Sequence, residues 1–571
     1  MDNADYAAVL DDIAQLLALT DTNPFRVKAY DNAARTLRAL QEPVDPLVAA
    51  GKATSIAGVG KGIAADLAEI RATGTCDALD TLRAAIPPGY AELIRVRGLG
   101  PKRIRLLRDE LGIDDLDALV GAATSGTLAA VAGIGARTAA SLLVEAERVR
   151  ASATGTPPGT AWRIGQQLRA RVQALLPGAA VSLAGSLARG DELHRVVALV
   201  VATDEPVREV GLRIADALRE APALQNVSVE AEPRGAARGA LLTAAAGAGL
   251  QLSLVVSPRE LSARHWIEAT ATPALLDALR GRPGWATATM TPCSDPATLL
   301  RAAGVAALPA ELLHRPDWLD ASPAQLAGLV SPDDLRRDLH LHTTWSDGRN
   351  TIAEMAAAAA RRGYDGIAVT DHSRSLTVAR GLDRDRLSGQ LGEVAAGDWP
   401  VRVWRGLEVD ILADGTLDMD DDLLARLDWV VGSVHSHMTQ PHDTMTARLL
   451  RAISSGRIHA LGHPTGRILG GRPGYTFDID AVFDACAHHR VALELNAAPE
   501  RLDLDDGLLS RAATRPGLMF TINTDAHSVS EFDQMHHGIR MARRAGLPAS
   551  RILNCLTLDD FEARQRPRGN A

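Results

Sequence analysis

Residues 338–348 read DLHLHTTWSDG. Successive side chains of an extended strand point to opposite faces, so His340 and His342 present their imidazoles on the same side. Asp347 follows in the turn. Six further short apolar runs come after it: GIAVTDH (366–372), VWRGLEVDI (403–411), WVVGSVHS (429–436), IHALGHP (458–464), VALELNA (491–497) and FTINTDAH (520–527). Helical patterns such as IAEMAAAAARRG, TARLLRAI and IDAVFDACAHH separate several of them. Seven strands alternating with helices predict a β/α barrel, in which polar residues at the C-terminal strand ends build the site.

Those strand ends carry one type of chemistry. His340, His342 and Asp347 belong to the first; His372 ends the second; Glu408 lies late in the third; His435 ends the fourth and His463 the fifth. Asp525 and His527 alternate in the last. A lone histidine at a strand end is ordinarily a packed or surface residue. Nine ligand-type side chains at one end of one barrel point instead to a multinuclear metal centre. The donors are nitrogen and oxygen without sulfur, which suits zinc, manganese or iron and not an iron–sulfur cluster. His437, His442, His459, His488, His489, His536 and His537 do not repeat the placement and are read as surface or supporting residues.

Working outward, a chain of 571 residues exceeds a single hydrophobic core. Residues 1–150 read as short helices punctuated by glycine turns. Residues 160–260 alternate apolar runs (AAVSLAG, VVALVVAT, LQLSLVVSP) with helical stretches, an α+β pattern. The Pro-rich stretch 314–337 reads as a connector. No transmembrane run is present and the acidic, amphipathic N-terminus is unlike a signal peptide, so the expected location is the cytoplasm. Four dispersed cysteines (Cys76, Cys293, Cys486, Cys555) without C-x-x-C spacing exclude a cysteine zinc site and a disulfide framework. The net charge of −9 argues against coating nucleic acid by bulk electrostatics, though not against binding through backbone amides.

Three segments share a glycine–apolar–glycine turn before a helix: Gly58-Val59-Gly60, Gly98-Leu99-Gly100 and Gly133-Ile134-Gly135. Such a turn presents the free amides of the next helix to a phosphate. Lys61 follows the first, and Arg95, Arg97, Lys102, Arg103 and Arg105 surround the second.

The barrel motifs DLHLHTTWSDG, TDHS, GLEVDI, VHSH, GHP and TDAH resemble the polymerase and histidinol phosphatase (PHP) phosphoesterases. The resemblance implies a distorted (β/α)7 barrel with two or three divalent ions. It assigns His340, His342, Glu408 and Asp525 to the first ion. The second shares Glu408 and adds His435 and His463, and the third takes Asp347, His372 and His527. The glycine turns resemble helix-hairpin-helix motifs, which grip a DNA backbone without reading bases.

With NPFRVKAYDNAARTL (23–37) and AGSLARGDEL (184–193) between hairpins and barrel, the order of parts resembles bacterial family X DNA polymerases along the whole chain. The implied layout is a helical domain at 1–82, a fingers-like helical domain at 83–150, a nucleotidyltransferase-like palm at 151–313, a linker at 314–337 and the PHP domain at 338–571.

Two departures follow. Gly185, Ser186, Arg189, Gly190 and Glu192 of the palm motif are present, but Val196 and Ala198 stand where two catalytic aspartates belong, with Leu252 or a neighbour in the third position. A two-metal polymerase needs those carboxylates, so nucleotidyl transfer is expected to be lost. Asp66 stands where lyase members of the family place a Schiff-base lysine, eight residues after Gly58. The expected protein is a DNA-end-processing hydrolase acting on gapped, nicked or damaged ends, with manganese-stimulated 3′–5′ exonuclease action. 3′-Phosphatase and abasic-site cleavage are open alternatives, and Arg467 and Arg501 are candidate phosphate clamps. Rival readings are a phosphatase of a small phosphomonoester, a non-catalytic DNA-repair scaffold, and a polymerase with relocated carboxylates.

Overall fold

A computed structural model describes residues 3–20, 24–40, 43–73, 75–85, 90–93, 96, 98–131, 133–135, 138–139, 142–143, 145–146, 155–219, 224–230, 240–246 and 250–565. The chain separates into two compact units, one of residues 1–155, 211–230 and 242–252, the other of 156–210, 231–241 and 253–571.

The first unit is built mainly on short helices, among them Asn3–Thr20, Pro24–Ala39, Lys61–Thr73, Pro101–Leu111 and Leu116–Thr124. None offers more than a stripe of apolar side chains. Leu10, Ile13 and Leu17 of the first helix, Leu67 and Ile70, and Ile104 and Leu107 bury those stripes in one core. Helices this short gain most of their stability from such burial and little from propensity.

The middle of the chain carries five strands: β1 (Ala180–Ala184), β2 (Val196–Thr203), β3 (Leu224–Glu230), β4 (Ala240–Ala246) and β5 (Leu250–Pro258). β1 and β2 pair antiparallel, with Ala184 opposite Ala198.

The C-terminal part of the second unit is the expected barrel. Its strands are β6 (Arg337–Leu341), β7 (Gly366–Val369), β8 (Arg402–Asp410), β9 (Trp429–Ser433), β10 (Ala460–Leu461), β11 (Ala492–Asn496) and β12 (Phe520–Asn523). They lie side by side in chain order and run parallel. Between β12 and β6 the ladder continues past the strand ends, where Asp525 N donates to His340 O at 3.0 Å and His342 N to Ala526 O at 2.8 Å. β6, β7, β9, β11 and β12 are buried along their whole length, which is why they read as continuous apolar runs and not as alternations. Helices capped at their N-termini by Thr351, Asp383, Asp478 and Asp505 return the chain between strands.

The stretch 314–337 is packed and is not a free connector. Leu319, Leu329 and Val330 are buried, the first two in a cluster with Leu275, Leu299 and Leu312. Ser322 and Ser331 close capping boxes on two of its three short helical turns. Its prolines start helical turns here, a role that proline-rich composition shares with linkers. No helix among the described residues is long and apolar enough to cross a membrane.

Candidate metal centre

All nine strand-end residues converge. Glu408, late in β8, lies at the middle: its carboxylate oxygens are 2.6 Å from His372 Nδ1, 3.0 Å from His463 Nε2, 3.3 Å from His435 Nε2, 3.4 Å from His340 Nε2 and 3.7 Å from His342 Nε2. Asp525 Oδ1 is 3.0 Å from His342 Nε2 and 3.6 Å from His340 Nε2. Asp347 Oδ1 is 3.4 Å from His527 Nε2, 3.7 Å from His372 Nε2 and 4.0 Å from His342 Nδ1. The side chains of Asp347 and His527 are 34% and 32% exposed and the other seven are nearly closed off, so the cluster opens on the Asp347 side.

Three groupings could each hold an ion: His342, Asp347, His372 and His527; His340, His342 and Asp525; and His372, Glu408 and His435. His342 and His372 each serve two of them. This distribution differs from the one the resemblance implies, where His342 and His372 each serve a single ion.

The donor set fits divalent cations. Nε2 of His340, Nδ1 of His342 and Nδ1 of His463 are buried without a hydrogen-bond partner, and His372 Nδ1 faces Glu408 Oε2 at 2.6 Å without the alignment of a hydrogen bond. Each such atom costs about 1–3 kcal/mol of desolvation if nothing answers it. Two of the candidate ligand positions are strained as well, since His463 (φ 25°) and Asp525 (φ 54°) adopt positive φ without being glycine. Strain of this kind persists where the surrounding structure imposes it, which is characteristic of functional sites.

Supporting partners that sequence reading missed fix the imidazoles. Glu494 on β11 accepts from His340 Nδ1 at 2.7 Å and from the His463 backbone N–H at 2.7 Å, which leaves His340 Nε2 as the lone-pair nitrogen facing the cluster. Asp410 accepts from His435 Nδ1 at 2.5 Å, and the Asp525 carbonyl from His527 Nδ1 at 2.8 Å. Asp371 accepts from the backbone N–H of Thr343 and Ser346 and so holds the turn that carries Asp347. The signal was available in part: Glu494 and Asn496 alternate inside the apolar run VALELNA, where a buried strand has no other use for an acid.

The charge balance follows from this packing. Burial alone would lower His340, but Glu494, Glu408 and Asp525 hold it well above its ordinary value. His435 is raised to about 10, where Glu408 and Asp410 overcome burial, and His527 to about 9 beside Asp347. His342 goes the other way, to about 3, through burial and the neighbouring His372 and His527. Glu408 and Asp525 are buried, yet the surrounding imidazoles hold both well below the usual carboxylate range. Ionised carboxylates that hold His340, His435 and His527 protonated mark a site where positive charge is favoured, and a bound cation would displace those protons.

The two candidate arginines part company. Arg501 Nε is 3.5 Å from Asp525 Oδ2, at the edge of the cluster. Arg467 is committed elsewhere: it pairs with Glu192 at 2.9 Å and donates to the carbonyls of Arg501 and Leu502. Each of its three nitrogens already donates within the protein, so an Arg467 phosphate clamp would compete with these contacts.

In the palm, the positions the resemblance assigns to carboxylates are apolar neighbours. Ala198 packs in a cluster with Ala184 and Val200, joined by Val196, Val255, Trp266 and Ala269. Alternation along β5 places Val255, a neighbour of Leu252, towards this cluster and Leu252 itself on the opposite face.

The three glycine turns share one geometry. Gly58, Gly98 and Gly133 have φ of 81°, 87° and 83°, a left-handed conformation that glycine adopts without penalty. Val59, Leu99 and Ile134 are buried, and each donates its N–H three residues back, to Ile56, Val96 and Val131 at 2.9–3.0 Å. Gly60 and Gly100 then open the next helix, with Lys61 exposed at the first, and Gly135 O accepts from Ala139 N–H. Arg103 folds back, donating to Gly98 O at 2.6 Å. Arg95 and Arg97 lie outside the described residues, as does the side chain of Lys102. Asp66 accepts from Tyr30 Oη at 2.6 Å.

Comparison with known proteins gives matches in the helical part and in the barrel. A family model described as a PHP domain matches residues 338–498, a helix-hairpin-helix domain matches 1–76, and a SAM-like helix-hairpin-helix tandem matches 90–148. The chain is 30% identical over 581 residues to the DNA polymerase/3′-5′ exonuclease PolX of Bacillus subtilis, a match covering 99% of each chain. It is 29% identical over 231 residues to the Probable phosphatase YcdX of Shigella dysenteriae, covering 38% of this chain and 89% of that one. A Probable phosphatase of Photobacterium profundum matches at 37% over 164 residues, 28% of this chain and 63% of the other. The chain belongs to the bacterial PolX family, the family X DNA polymerases that carry a PHP domain.

Proposed function

We propose that this chain is a metal-dependent phosphoesterase that trims DNA ends in the 3′–5′ direction, with the chemistry in the barrel and nucleotidyl transfer lost from the palm. The observation that carries the reading is the convergence of nine ligand-type side chains with buried, unanswered nitrogen atoms among them. His340, His342, Asp347, His372, Glu408, His435, His463, Asp525 and His527 would hold two or three divalent ions, manganese, zinc or iron. When bound, such ions supply hydroxide at neutral pH and neutralise charge on the phosphate.

The protein's own part is orientation and exclusion. Glu494 and Asp410 hold His340 and His435 in the tautomer that turns Nε2 inward. The open edge at Asp347 and His527 admits a phosphate, and Arg501 lies beside Asp525 to meet it. The glycine turns offer helix N-termini to a DNA backbone, which favours a gapped, nicked or damaged DNA substrate. Loss of polymerase activity is supported by the apolar surroundings of Val196, Ala198 and Val255.

A second reading, hydrolysis of a small phosphomonoester, is favoured by the short relatives named as phosphatases. The deciding experiment follows a 5′-labelled gapped duplex with manganese and no nucleotides, using the wild type and His342→Ala. A descending ladder from the wild type alone is expected. Intact DNA from both, with manganese bound to the wild type, would sink the exonuclease reading and leave the phosphomonoesterase.

A further inference from the structure

Glu192 belongs to the palm motif, yet its carboxylate serves the barrel. Oε2 accepts from Arg467 Nη1 at 2.9 Å, while Oε1 is buried with no hydrogen-bond partner. A half-satisfied carboxylate in a largely buried ion pair is a poor stabiliser, since desolvation offsets much of the attraction. What the pair does accomplish is geometric.

Arg467 lies four residues beyond His463 and spends its remaining donors on the next loop, through Nε to Arg501 O at 3.0 Å and Nη2 to Leu502 O. Thr465 ties the same two loops, its N–H and hydroxyl donating to Asp503 at 3.0 and 2.9 Å. Both loops carry positive φ at non-glycine residues, His463 and Leu502, so neither conformation is its own lowest-energy choice. Arg467 thus clasps one loop bearing a ligand-type histidine to another bearing Arg501, whose Nε is 3.5 Å from Asp525.

We infer that Glu192 is a positioning residue for phosphate at the barrel centre: it holds Arg467 so that the loop through Leu502 keeps Arg501 aimed at Asp525. The palm motif, freed of nucleotidyl transfer, is reused to shape the hydrolytic site. This inference rests on the phosphoesterase reading above.

The test uses the full-length, manganese-loaded protein with inorganic phosphate as the probe. Phosphate affinity is measured by calorimetry, and KM and kcat on the labelled gapped duplex, for wild type, Glu192→Gln, Glu192→Asp, Arg501→Ala and the Glu192→Gln/Arg501→Ala double variant. Glu192→Gln is expected to weaken phosphate binding and raise KM about tenfold, with bound manganese and kcat little changed. Glu192→Asp, which keeps the charge, falls between it and the wild type, and the double variant is no worse than Arg501→Ala.

Phosphate affinity equal to wild type in Glu192→Gln, or effects of Glu192→Gln and Arg501→Ala that multiply, would overturn the inference. Should Glu192→Gln not fold, wild-type affinity in Glu192→Asp overturns it equally. A wild type that hydrolyses no DNA but whose phosphate binding falls with Glu192→Gln would remove the nuclease reading and leave the positioning role standing.

Discussion

The palm and the barrel are two answers to the same physical problem, how to keep a metal-binding pocket inside a folded protein. In the palm, Val196 and Ala198 stand where the resemblance expects carboxylates, and they pack in a small apolar cluster with Val255, Trp266 and Ala269. In the barrel, Glu408, Glu494 and Asp525 stay buried among five buried or nearly buried histidines. Replacing a buried charge cluster by apolar residues is often neutral or stabilising, so acids disappear readily once nothing requires them. Their retention in the barrel, with unanswered donor atoms and strained candidate ligand positions, is therefore the stronger sign of use.

The sharpest way to break the comparison is to remove a barrel ligand. His342 lies in two of the three possible ion groupings. His342→Ala is expected to cost at least about a thousandfold in manganese-dependent hydrolysis, beyond the ~10–100-fold typical of a lost supporting partner. Activity within tenfold of wild type would contradict the assignment.

The palm offers the reverse experiment. Ala198 is 8% exposed in an apolar cluster, so Ala198→Asp introduces a charge with no partner and is expected to destabilise the fold by about 3 kcal/mol or more. Urea or thermal unfolding measures it. An unchanged midpoint would mean that the palm still accommodates an acid, and labelled-nucleotide incorporation should then be tried on that variant.

Glu494→Gln probes the support beneath the ligands. It keeps the shape and removes the charge that orients His340 and the His463 backbone, so metal affinity should fall about 10–100-fold in a manganese titration. An unaltered titration would reduce Glu494 to a packing role.

The smallest effect is expected far from either pocket. Gly98→Ala places a side chain at φ 87°, which costs about 1–2 kcal/mol locally and should weaken duplex binding several-fold in fluorescence anisotropy. Nucleolysis of a saturating substrate should be spared. Duplex affinity that does not move would separate the glycine turns from DNA recognition.

Much of this was legible because the relevant rules are local. Period-two alternation put His340 with His342, and strand ends gathered the other candidates, although Asp525 and His527 lie past β12 with Asp525 at positive φ and so do not alternate on a strand. Glycine spacing marked three turns whose backbone angles agree within a few degrees. Reading failed where a residue's role is set by something distant. The third palm position reads as Leu252 or a neighbour, and only strand alternation shows that Val255, not Leu252, faces the apolar cluster. Arg467 looked available until Glu192 and two carbonyls took its donors.

Which side chains could carry the chemistry, and where the palm lacks the expected acids, was readable from the chain alone, because residue type and short-range backbone geometry are written in consecutive positions. Only the tertiary structure decided how the ligands group, that Glu494 sets the tautomer of His340 from 154 positions away, and that Glu192 holds Arg467 across 275. Contacts of that span arise from barrel closure and from the packing of the palm motif against it, and no local pattern encodes which partner a buried charge will find.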